Sequence, residues 1–157
     1  MRRLIQGCRK FLHSNGLERG IALEAMLALA ATWVGLRTMG FERWKTIMAR
    51  LSQNKVGATS APTRPECVAL IARMELAVAR HLPFRTNCLE QSLVLLWLLG
   101  RRGIAAELRI GARKESDRFE AHAWVEFEGA PINDAGDEHH HFVPFEKPVS
   151  SMEAQTH

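Results

Sequence analysis

Between Cys88 and Arg101 the chain offers a helix with no polar side. Leu89, Leu93, Val94, Leu95, Leu96, Trp97, Leu98 and Leu99 fall at every angle around its axis. A helix apolar all round is stable in water only when other elements surround it. The rest of the chain is therefore expected to wrap this segment. Asn87 offers it an N-cap, Arg101 and Arg102 complement the negative end of its dipole, and Gly103 offers a stop.

The wrapping is legible on both sides. Residues 4–51 read as helical throughout. From Leu17 to Met39 apolar residues at 21, 25, 28, 29, 33 and 36 follow a period near 3.6, and Gly40 ends the run. Phe41, Trp44, Ile47 or Met48, and Leu51 mark one face of a shorter helix. Residues 52–65 are small and polar and read as a linker. Pro65 suits the first turn of a third helix, whose stripe is Val68, Ile71, Glu75, Val78 and Leu82, and Pro83 stops it. After the central helix the period changes to two. Ala105 to Ile110 alternates, Lys114 to Arg118 is a charged turn, and Phe119 to Phe127 alternates again. Ala121, Ala123, Val125 and Phe127 share one face, and His122, Trp124 and Glu126 the other. Gly129-Ala130-Pro131 turns the chain, so that residues 132–135 can return as a partner strand. Helices, one central helix and then a small antiparallel sheet make an α+β pattern. The division expected is a helical N-terminal region over 1–60 and a core over 61–157.

At 157 residues this is one domain, or one with a small appendage, and burial of roughly 70% of the unfolded surface gives it a core without staples. The net charge of +4 comes without a basic stripe interleaved with aromatics, which argues against a nucleic-acid binder. Cys8, Cys67 and Cys88 are an odd number with no Cys-x-x-Cys pair, so neither a zinc knuckle nor a redox motif is supported, and a reducing cytoplasm is expected. Met1-Arg2-Arg3 could open a signal sequence, and Ile5-Gln6-Gly7-Cys8 has the look of a lipoprotein box, but no apolar stretch develops between them. Ile21 to Leu36, about 16 residues, falls short of the roughly 20 that span a bilayer and is expected as a buried helix.

Cys88 is the residue that stands out chemically. It occupies the first turn of the buried helix, where unpaired N–H groups and the positive dipole end favour thiolate, the nucleophilic form. Cys8 and Cys67 fit inert core positions. A reactive thiol needs a base and a group to orient that base. His122 is the best base, on the less apolar face of its strand. Asp134 is the natural orienter: it opposes His122 if the reversal is an odd-membered loop centred on Glu128. Asp137 is the fallback. The run His139-His140-His141 invites a metal reading with Asp134 or Asp137. Adjacent histidines on an extended chain alternate sides, however, so no metal site is assigned and a solvated tail is expected. No glycine-rich phosphate loop and no Gly-x-Ser-x-Gly is present.

Taken together these residues form a larger pattern. Asn87-Cys88-Leu89-Glu90-Gln91-Ser92-Leu93 opens the leucine-rich helix, Leu108-Arg109-Ile110-Gly111 follows Arg101-Arg102-Gly103-Ile104, and Ala121-His122-Ala123-Trp124-Val125-Glu126 precedes Gly129 and Asn133-Asp134. Over roughly residues 65–145 the chain resembles the B2 proteins of lasso peptide biosynthesis, transglutaminase-like cysteine proteases of the papain-like superfamily. The resemblance implies a Cys88-His122-Asp134 triad that removes the leader from a ribosomally made precursor peptide without a cofactor. It also implies two partners, a macrolactam synthetase that closes the ring and a leader-binding B1 protein. Residues 1–60 show no alternating strand pattern, so B1 is expected as a separate chain. The rival readings are a transglutaminase-like acyltransferase or amidase on the same triad, and a non-catalytic scaffold of the maturation complex.

Overall fold

The computed structural model describes residues 16–53, 65–115, 118–134 and 138–145. Four helices come first: α1 (Gly16–Met39), α2 (Phe41–Gln53), α3 (Pro65–Ala79) and α4 (Cys88–Gly100). Strands β1 (Glu107–Glu115), β2 (Arg118–Phe127), β3 (Ala130–Pro131) and β4 (Val143–Pro144) follow, with a 3-10 turn over Glu138–His141 before β4. They form one antiparallel sheet in the order β3-β2-β1-β4. The α+β architecture is the one expected. The helix proposed for residues 4–15 lies outside the described residues, and the first strand runs five residues past Ile110.

The apolar α4 is the axis of the molecule. Leu95, Leu98 and Leu99 are fully buried, and one continuous cluster joins them to Ile21, Ala25 and Leu29 of α1, Trp44 and Met48 of α2, Val68 and Ile71 of α3, and Leu108 and Val125 of the sheet. The helices on either side of the residue-60 boundary thus share a core. Arg102 donates to the Leu98 carbonyl at 2.9 Å and pairs with Glu24 of α1 at 3.0 Å, which closes the C-terminal end of α4. The corner from α1 to α2 turns on Gly40 at φ 77°. There the Trp44 ring fills the notch that Gly35 leaves, and its Nε1–H donates to buried Thr32 at 3.1 Å.

α1 is 24 residues long and apolar enough to cross a membrane, with 39% of its apolar window buried in this fold. Ile21, Ala25, Ala28 and Leu29 face the core, whereas Leu23, Met26, Leu27 and Val34 are exposed. Cys67, expected in the core, is instead exposed on α3, because the buried stripe of that helix is Val68, Ile71, Ala72, Glu75 and Ala79.

Glu75 lies in that stripe with 1% of its surface exposed, and among the described residues neither carboxyl oxygen has a hydrogen-bond partner. Burial pushes its pKa up from 4.5 to about 8. The folded state therefore holds a proton there that the unfolded chain has released, and stability falls as pH rises through that interval. Glu75→Gln should remove this slope. Denaturant unfolding between pH 5 and 8 is expected to show the variant gaining on the wild type by roughly 1.4 kcal/mol per pH unit. Parallel pH profiles for the two proteins would contradict it.

Candidate active site

The start of α4 is built by a reciprocal cap. Asn87 Oδ1 accepts from the Glu90 N–H at 2.8 Å, and Glu90 Oε2 accepts from the Asn87 N–H at 2.9 Å. The other Glu90 oxygen pairs with Arg37 of α1 at 2.7 Å, although Glu90 is only 1% exposed. Arg37 lies 4.1 Å over the Trp33 ring. Among the described residues this arrangement leaves the N–H groups of Cys88 and Leu89 as the open donors of the helix start. Cys88 is half-buried with a free thiol, and among the described residues no hydrogen bond joins it to His122.

One turn after Cys88, on the same side of α4, Ser92 is completely buried. Its hydroxyl donates to the Ala123 carbonyl at 3.0 Å and accepts from Asn133 Nδ2 at 3.0 Å. Asn133 Oδ1 in turn accepts from the Val125 N–H at 2.8 Å. Three segments are pinned to one hydroxyl: the helix that carries Cys88, the strand residue next to His122, and the loop residue next to Asp134. Ser92 and Asn133 both fall within the motif stretches of the sequence, but nothing there assigns either a role. The available signal was a lone hydroxyl within an otherwise leucine-rich helix.

His122 and Asp134 approach each other, but not by the expected register. The β2–β3 reversal is a two-residue turn, Glu128-Gly129, with both residues at positive φ (51° and 78°), and it pairs Phe127 with Ala130 and Glu126 with Pro131. No odd-membered loop centres on Glu128, and His122 and Asp134 are not cross-strand partners. Asp134 arrives instead from the loop beyond β3, which places its Oδ1 4.0 Å from His122 Nε2. Nε2 is buried, and among the described residues it has no hydrogen-bond partner.

The His122 face of the sheet is covered as well. The ring lies 5.9 Å from that of Trp124 and 5.2 Å from that of Phe142, and both of these neighbours are buried. Gly111, opposite His122 in β1, permits this packing: a Cβ there would meet Phe142 at 3.0 Å and Trp124 at 3.1 Å.

The cover comes from the segment read as a solvated tail, and for His139 that expectation is corrected. Residues 138–141 coil into a 3-10 turn rather than an extended chain. His139 donates to Asp134 Oδ2 twice at 2.6 Å, once from its backbone N–H and once from Nδ1. The Asp134 side chain is 3% exposed. Burial alone would raise its pKa, but the hydrogen bonds from His139 and the charges of the two histidines outweigh burial and hold the carboxyl below its usual range. Asp137, the alternative orienter, lies outside the described residues.

The family model of the transglutaminase-like superfamily matches residues 34–147, from the end of α1 through the helix that Cys88 opens and the whole sheet. The chain belongs to that superfamily. It is also similar to the microcin J25-processing protein McjB of Escherichia coli, with 43% identity over 61 residues, which cover 38% of this chain and 28% of that protein. The aligned stretch thus spans little more than a quarter of that relative. No solved structure matches the chain.

Ser92→Ala would leave the Ala123 carbonyl and the Asn133 amide buried without their partner. A loss of roughly 1–3 kcal/mol in chemical denaturation is expected, and Asn133→Ala should cost a similar amount. The double variant should lose less than the sum of the two, because the residues share one network. Changes within 0.5 kcal/mol for both single variants would show that the link contributes nothing to stability.

Proposed function

We propose that this chain is a cysteine peptidase of lasso peptide maturation, cutting the leader from the precursor peptide with Cys88 as nucleophile, His122 as base and Asp134 as orienter. The observation that carries this reading is the Ser92–Asn133 link, which binds the segments of all three residues to one point. The similarity to a microcin-processing protein supports the substrate class.

In the proposed reaction the Cys88 sulfur attacks the carbonyl at the leader–core junction while His122 takes the thiol proton. The open N–H groups of Cys88 and Leu89 face the developing oxyanion. Collapse breaks the C–N bond, and His122 returns its proton to the departing amine of the core. The leader remains as a thioester until water, activated by the same imidazole, releases it as a carboxylate. His122 Nε2 points towards Asp134, which leaves Nδ1 for the thiol. The anion at Asp134 favours the imidazolium that forms in each step.

Two partners belong to the proposal. A leader-binding B1 protein would raise the local concentration of the junction, in keeping with two helices and no strand over residues 16–53. A macrolactam synthetase would use the freed amine. The free thiols of Cys67 and Cys88 suit a cytoplasmic setting.

The test is cleavage of a full-length precursor, with B1 present, followed by mass spectrometry. Cys88→Ala should abolish cleavage, a loss of at least 1,000-fold on the order expected for a missing nucleophile, while Cys67→Ala retains it. Hydrolysis gives a leader with a free carboxylate, and acyl transfer would give a leader joined to an added amine. Cleavage by Cys88→Ala at the wild-type rate would overturn the assignment.

A further inference from the structure

We infer that His139 is a positioning residue of this site, fixing the Asp134 carboxylate through its ring so that the remaining oxygen faces His122. The inference rests on the peptidase reading above and adds to it a fourth residue, outside the expected triad.

The two bonds from His139 to Asp134 Oδ2 do different things. The backbone N–H bond, at 2.6 Å, anchors the 3-10 turn and would form with any residue at this position. The Nδ1 bond, also 2.6 Å, belongs to the imidazole alone. An ionised carboxylate only accepts, so Nδ1 carries the proton of that bond. With Oδ2 held twice, Oδ1 is the oxygen left for His122, and it is the one 4.0 Å from Nε2. Rotation of the carboxylate about its Cβ–Cγ bond would break the ring bond. The side chain of Asp134 is therefore fixed in orientation from the side away from His122.

The His139 ring is itself confined. It lies 6.0 Å from the Trp124 ring, with 13% of its side chain exposed. Trp124 is in turn tethered by its Nε1–H to Glu126 at 2.9 Å. His122 and His139 thus both pack against one fixed indole, with Asp134 between them.

The test compares His139→Ala, His139→Asn and His140→Ala. The asparagine amide can donate from the position of Nδ1 but cannot take up a proton. His140 is exposed, its ring is tilted against that of His139 at 3.9 Å, and among the described residues no hydrogen bond joins it to Asp134. With precursor and B1, His139→Ala should lower kcat at least 10-fold with KM within twofold. His139→Asn should recover to within threefold of the wild type, and His140→Ala should stay within twofold. The rate of iodoacetamide alkylation at Cys88, measured without any substrate, should follow the same order. That second readout separates the two claims: a wild type that cleaves no precursor sinks the peptidase reading, while alkylation still reports whether His139 acts through Asp134 and His122. His139→Ala as fast as the wild type, or faster, would overturn the inference. So would His139→Asn as slow as His139→Ala, or an effect confined to KM.

Discussion

One buried hydroxyl holds the geometry of this molecule together. Ser92 lies in a helix whose other neighbours are nearly all aliphatic, and its Oγ bridges the Ala123 carbonyl and the Asn133 amide. A polar group in such surroundings is stable only when both its donor and its acceptor capacity are used. That requirement fixes the helix against β2 and draws the loop after β3 onto both. Cys88, His122 and Asp134 are each close in sequence to one member of this link, so their relative placement follows from satisfying it.

The sheet is unusual for an antiparallel one in being covered on both faces at this point. α4 buries the Ala123 and Val125 side, and Phe142 with the 138–141 turn buries the Trp124 side. His122 consequently lies in a low-polarity setting, and the Asp134 carboxylate beside it is sustained by the donors of His139. Low polarity strengthens each charge interaction and makes an unpaired polar atom costly. The 4.0 Å between Nε2 and Oδ1 is longer than a hydrogen bond.

Elements governed by local patterns were legible in the sequence. The wholly apolar stretch gave the central helix, Asn87 gave its cap, and alternation gave β2 with the correct faces. What failed depended on contacts distant in sequence. Glu128 adopts a left-handed conformation that is uncommon outside glycine, so the sequence does not announce the tight Glu128-Gly129 turn or the register it sets. The histidine run coils into a 3-10 turn instead of extending, with Phe142 against the His122 ring and His139 near the Trp124 ring, contacts that no local pattern announces. Ser92 and Asn133 are 41 positions apart, and nothing local shows that they meet.

The identity of the acylated atom tests a Cys88 nucleophile most directly. Wild-type protein, mixed with precursor and quenched in acid within a turnover, should yield a digest in which the peptide containing Cys88 carries the mass of the leader acyl group. That adduct should be sensitive to hydroxylamine, as a thioester is. A leader adduct on Cys67, or the absence of any adduct while the precursor is being cut in a single slow turnover, would contradict a Cys88 nucleophile.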